Sequence, residues 1–119
     1  TRLQLRGYAI AEKLQLYPEI GVGVLSLNKE ELKRFNYQKG DTEGLVNVIL
    51  SIEGYHVGVF LMETEDGVKM SFRSKGQRFV NAFAQAHFNG GGHQYAAGGF
   101  YEGTLSAALS KLESLIDQL

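Results

Sequence analysis

The apolar positions of this chain follow a helical spacing at both ends and a strand-like alternation between them. From Leu3 to Leu14, the residues Leu3, Ile10 and Leu14, with small Gly7 between them, keep a heptad spacing that predicts a helix with one apolar stripe, ended by Pro18. Between Glu19 and Leu27, Ile20, Val22 and Val24 alternate with two glycines, a strand pattern. Asn28 follows as the expected cap of a short helix, NKEELKRF, whose acidic first turn suits the helix dipole. The segment DTEGLVNVIL predicts a loop opening a second helix from Asp41 or Thr42, both good caps. Tyr55 to Thr64 is apolar on both faces, as in a central strand, and Glu65, Asp66 and Gly67 turn it back into Val68, Met70 and Phe72. The alternates of that returning strand are Lys69, Ser71 and Arg73, so it has one polar face. Phe79, Ala82, Phe83 and Ala86 mark another helix, Phe100 a short strand, and Leu105, Ala108, Leu109, Leu112, Leu115, Ile116 and Leu119 the apolar face of a last helix.

One antiparallel hairpin among helix-linked strands predicts an α/β (α+β) domain with a mixed β-sheet of about four to five strands flanked by helices. The 119 residues, 44% of them hydrophobic, suffice for one core and one domain. Charge narrows the partners: 12 Lys and Arg against 13 Asp and Glu leave no basic field to hold a long nucleic acid, so any polyanionic ligand should be short. Cysteine is absent, which removes disulfides, thiolate nucleophiles and Cys-based zinc sites and agrees with a cytoplasmic setting. No apolar run approaches a membrane span, so no membrane partner is expected.

The densest chemical signal is GGGHQYAAGG, residues 90–99, in which seven of ten positions have little or no side chain. Consecutive glycines permit positive φ and let N–H groups converge as a nest on phosphate oxygens, to which His93 would add a directed donor. The plain alternative is a connector whose glycines serve only close packing. Arg73 and Ser74 end the alternating strand; a guanidinium can grip phosphate with two parallel hydrogen bonds and a hydroxyl can assist, although a lone arginine beside a turn is more often simply solvated. His87, near a helix C-terminus, and His56, in the expected central strand, read as structural. The three aspartates sit at an expected cap (Asp41), a hairpin turn (Asp66) and the last helix (Asp117), so they form no metal cluster. There is no HxH, DxD or HExxH string and no GxSxG elbow. Hydrolysis by this chain alone is therefore not expected.

GGGHQYAAGG, preceded by SFRSKG and DTEGLVN in that order, resembles the DHH-associated C-terminal domain of the DHH phosphoesterase superfamily. The combination is similar to the branch of oligoribonucleases that also remove the 3′-phosphate of adenosine 3′,5′-bisphosphate, a group with exopolyphosphatase-related proteins. The likeness runs from about Gly21 to Leu119. It implies that residues 1–16 end an interdomain connecting helix and that residues 17–119 form a substrate-binding domain. It implies too an N-terminal DHH domain, outside this sequence, whose Asp and His hold two manganese ions; this chain binds no cofactor itself. Carried over, Gly90, Gly91, Gly92 and His93 would hold phosphate, and Arg73 and Ser74 would help orient a nucleotide or short oligoribonucleotide. Asn89 departs from the pattern, since many relatives have a fourth glycine there, but asparagine tolerates left-handed φ. A cyclic dinucleotide phosphodiesterase and a non-catalytic nucleotide-binding module are the competing expectations. The face left for the missing domain also makes a homodimer of the isolated segment an expected form.

Overall fold

The computed structural model describes all 119 residues. Thr1 caps the first helix, α1 (Arg2–Tyr8), which continues as a π-helical turn over Ala9–Lys13. Strand β1 (Gln15–Tyr17) then pairs antiparallel with β2 (Val22–Leu27). The crossover from β2 to β3 (Val57–Glu63) carries α2 (Lys29–Arg34) and the single-turn α3 (Asn47–Leu50), so β2 and β3 are parallel. The hairpin to β4 (Val68–Ser74), helix α4 (Asn81–His87), strands β5 (Gly91–His93) and β6 (Ala96–Tyr101) and helix α5 (Leu105–Leu115) complete the chain. The mixed sheet has six strands in the order β1-β2-β3-β4-β6-β5. No helix is long and apolar enough to cross a membrane.

The α/β class is as the sequence predicts, and the six strands exceed the expected four to five. Three local expectations are corrected. No helix starts at Asp41 or Thr42: turns occupy that stretch until Asn47, and the Asp41 carboxylate accepts from the Gln38 N–H at 2.8 Å, closing a turn. Gly44, at φ +75°, holds a backbone geometry that helix does not use. His56 precedes β3 and is exposed, because the strand begins one residue later. The expected strand from Glu19 starts at Val22, since Pro18 to Gly21 form the turn between β1 and β2.

Alternation along the strands sorts the core into two layers. Val22, Val24, Val57, Val59, Leu61, Met70 and Phe72 bury one sheet face under α4 and α5. On the other face, Leu25, Leu27 and Phe60 meet Leu5, Ala9, Leu32 and Ile49 from the N-terminal half. Ile49 rests in a dent made by two glycines: a Cβ on Gly23 would lie 2.6 Å from its Cγ2, and one on Gly58 would lie 3.1 Å from its Cδ1. That helical layer lies mainly over β2 and β3 and reaches β4 only through α3 and the loop before it. Hence the second face of β4, β6 and β5 stays open, and Lys69, His93 and Gly98 on it are exposed.

The N-terminal helix is fixed by one carboxylate. Glu31 completes the α2 capping box with Asn28, accepts from the Tyr8 hydroxyl, and pairs with Lys13 at 2.9 Å. Desolvation raises its pKa, but the hydrogen bonds from Tyr8, Asn28 and Lys13 outweigh that and leave it below the ordinary 4.5. Stabilisation from Glu31 is thus full above the unfolded carboxylate range and is lost as pH falls through the lower folded value. Glu31→Ala should reduce stability by about 2 kcal/mol in urea unfolding at neutral pH, and the deficit should shrink as pH falls below the ordinary carboxylate range.

Candidate functional site

Strand register decides which candidate residues can meet. Gly58 on β3 lies opposite Arg73 on β4, Arg73 opposite Ala96 on β6, and Ala96 opposite His93 on β5. Directly opposed residues point to the same side of a sheet, so Arg73 and His93 share the open face, two strand spacings or about 10 Å apart. The next row along that face is Ser71, Gly98 and Gly91. Its residues are small. The floor between the arginine and the histidine is therefore bare backbone and the Ala96 methyl.

The arginine is held in place. Its Nη1 donates to the carbonyl oxygens of Phe72 at 2.9 Å and Ala97 at 3.3 Å, which draws the guanidinium towards β6 and the histidine side. Its other nitrogens make no hydrogen bond within the protein and remain available to an anion. His93 is exposed on the outermost strand, with neither ring nitrogen bonded to another residue.

The glycine run is a strand, neither the nest nor the plain connector that its composition left open. Gly91, Gly92 and His93 pair with β6, and the far side of this edge strand has no neighbouring strand to take its backbone groups. Two different constraints call for glycine. A Cβ on Gly90 would lie 1.9 Å from the Gly98 carbonyl oxygen, so β5 could not approach the chain beside it. Gly91 has φ +157° and open space where a side chain would be, which leaves its backbone accessible from the cleft. Asn89 stands at φ +51°, the left-handed conformation its amide side chain tolerates.

Ser74 is not brought to this face. It follows the parity of Met70 and Phe72, is 6% exposed, and its hydroxyl donates to the Gln94 carbonyl at 3.4 Å on the opposite side of the sheet. Its observed contact holds the turn between β5 and β6. Ser74→Ala should lower stability by no more than about 1 kcal/mol and leave phosphate affinity unchanged, as thermal unfolding and a phosphate-ligand titration would show. Tyr95, in the same turn, donates its hydroxyl to the Gly76 carbonyl at 2.6 Å and packs edge-on against Phe79, so the ring closes the turn. His87 contacts Gln118 at 3.0 Å and packs edge-on against Phe83, away from the cleft. The alternation that selects Arg73 places Lys69 and Ser71 on the same side of the sheet.

Comparison with known proteins gives this arrangement a family. The DHHA1 domain matches residues 19–119. The chain belongs to that family. The DHHA1 match takes in β4, β5 and β6, the strands of the open face. The domain is 34% identical over 80 residues to the bifunctional oligoribonuclease and PAP phosphatase NrnA of Bacillus subtilis, covering 67% of this chain and 25% of the relative. It is 41% identical over 63 residues to the protein of the same name from Thermus thermophilus, covering 53% of this chain and 19% of that one. The chain thus spans about a quarter or less of the curated relatives it matches. An exopolyphosphatase-related protein of Bacteroides fragilis superposes with a TM-score of 0.94 at 39% identity, over 98% of this chain and 34% of that one. The domain is therefore of the kind associated with DHH-family phosphoesterases.

Proposed function

We propose that the open face of β4, β6 and β5 holds a phosphate group of a short oligoribonucleotide, or of adenosine 3′,5′-bisphosphate, while a DHH domain of the same protein hydrolyses it. One observation carries this reading: Arg73 and His93 flank a glycine floor on one face of the sheet, with the guanidinium already drawn towards the histidine. The arginine supplies a fixed fork of donors and positive charge. The imidazole supplies a directed donor from the other side, and Gly90, Gly91 and Gly92 let the phosphate oxygens come close to the β5 backbone.

The residues present do not suit a metal pair. The face offers an imidazole, a guanidinium and a hydroxyl, and nowhere do three or more His, Asp or Glu side chains converge. The manganese expected for this superfamily would thus have its ligands in the DHH domain, and the work of these residues is binding and orientation of the ester. The relatives named as oligoribonuclease and PAP phosphatase support this substrate class, and the absence of cysteine agrees with a reducing cytoplasm. Titration of the intact protein with a 5′-phosphorylated dinucleotide tests the reading. His93→Ala should weaken binding about ten-fold without changing metal content, whereas unchanged affinity would contradict the role.

A further inference from the structure

The turns between α2 and α3 use their carbonyl groups alternately. The N–H groups of Asp41, Glu43, Leu45 and Asn47 donate to the carbonyls of Gln38, Gly40, Thr42 and Gly44, which leaves those of Asp41 and Glu43 without a backbone partner. Arg6 on α1 takes both. Its Nη1 donates to the Asp41 carbonyl at 3.4 Å and to the Glu43 carbonyl at 3.0 Å, across more than thirty residues of sequence. Between Tyr37 and Leu45, which pack on the second core layer, no other side chain from outside the turns donates to their backbone. One half-buried arginine therefore fixes this stretch of wall.

The helix that carries Arg6 is itself held firmly. Leu5 and Ala9 are fully buried, and Tyr8 and Lys13 both bond to Glu31 on α2, so the guanidinium reaches out from a fixed base. What it holds borders the open face. Gly40, Thr42 and Glu43 line the same depression as Ser71 and Arg73, so the distance of this wall from β4 sets the room beside the phosphate site. A phosphate between Arg73 and His93 sits at the far end of that room, whereas a nucleotide chain continuing past Arg73 runs along the wall.

We propose that Arg6 is a positioning residue for the substrate: through the carbonyls of Asp41 and Glu43 it sets where the wall stands, and so how well the part of a nucleotide beyond the held phosphate fits. The inference rests on the phosphate-site reading and deepens it, because α1 is the helix that this reading joins to the DHH domain. The segment leading to the hydrolysing domain thus also shapes the binding face, and one side chain couples the two. Arg6 itself does not touch the substrate.

The test uses the intact protein, with inorganic phosphate and a 5′-phosphorylated dinucleotide as probes. Arg6→Met keeps the apolar stem and its packing on the helix while removing the donors. Under conditions where urea unfolding shows each variant fully folded, it should weaken dinucleotide binding about ten-fold and phosphate binding less than about two-fold. Arg6→Lys should recover most of the dinucleotide affinity, because both native bonds leave one nitrogen and a single ammonium placed there can make them. Unchanged dinucleotide affinity in Arg6→Met would overturn the proposal. So would an equal loss for both probes, the mark of a general loosening, or a loss that lysine does not recover. Failure of the underlying reading looks different: Arg73→Ala would then leave both probes bound as tightly as before, whatever the Arg6 variants do.

Discussion

Gly90→Val is expected to destabilise the domain by about 4 kcal/mol and to abolish phosphate binding together with β5 pairing. The collision is between backbones. A Cβ at this position would lie 1.9 Å from the Gly98 carbonyl oxygen and 2.8 Å from the Gly99 Cα, and no rotamer change relieves either contact. To admit the side chain, β5 must lift from β6, and His93 lifts with it. Gly91 provides the contrast, since a Cβ there meets nothing within 4 Å and the only objection is its φ of +157°. Gly91→Ala should thus be the milder change in urea unfolding, while still obstructing the cleft. Similar stability losses for both variants would show that conformation, not approach to β6, explains the glycine run.

Arg73→Ala should weaken binding of a 5′-phosphorylated dinucleotide by about ten- to a hundred-fold, the range expected for charge-assisted hydrogen bonds to an ionised phosphate. Arg73→Lys should restore little. The native side chain spends Nη1 on the carbonyl oxygens of Phe72 and Ala97 and still presents its other donors, whereas an ammonium is a single point that cannot serve both directions. Calorimetric titration of the three forms would measure the difference. Recovery of full affinity by lysine would reduce Arg73 to a general positive charge.

Much of the site was legible because β4 alternates cleanly. Val68, Met70 and Phe72 point into the core, so Lys69, Ser71 and Arg73 must point the other way. The same rule assigns Ser74 to the buried side with Phe72, and pairing it with Arg73 followed sequence adjacency where strand parity should have decided. The extra strands were not legible for different reasons. β1 is three residues long and its first two are exposed, and β5 is made mostly of glycine, a residue that propensity counts against any strand. What holds β5 is its neighbour: without side chains at Gly90 and Gly92 it can lie against β6, a tertiary fact that local sequence does not display. The turns before α3 were hidden similarly, since Asp41 and Thr42 look like helix caps until Arg6, which donates to the backbone carbonyls of Asp41 and Glu43, and Gly44 fix the chain.

The claim under all of this is that Arg73 and His93 hold the same phosphate. A double-mutant cycle on dinucleotide binding, with Arg73→Ala, His93→Ala and the double variant, measures that directly. Residues sharing one anion should be coupled, so the combined loss should differ from the sum of the single losses by about 1 kcal/mol or more. Losses that add within about 0.3 kcal/mol would mean two independent contacts and would contradict the account.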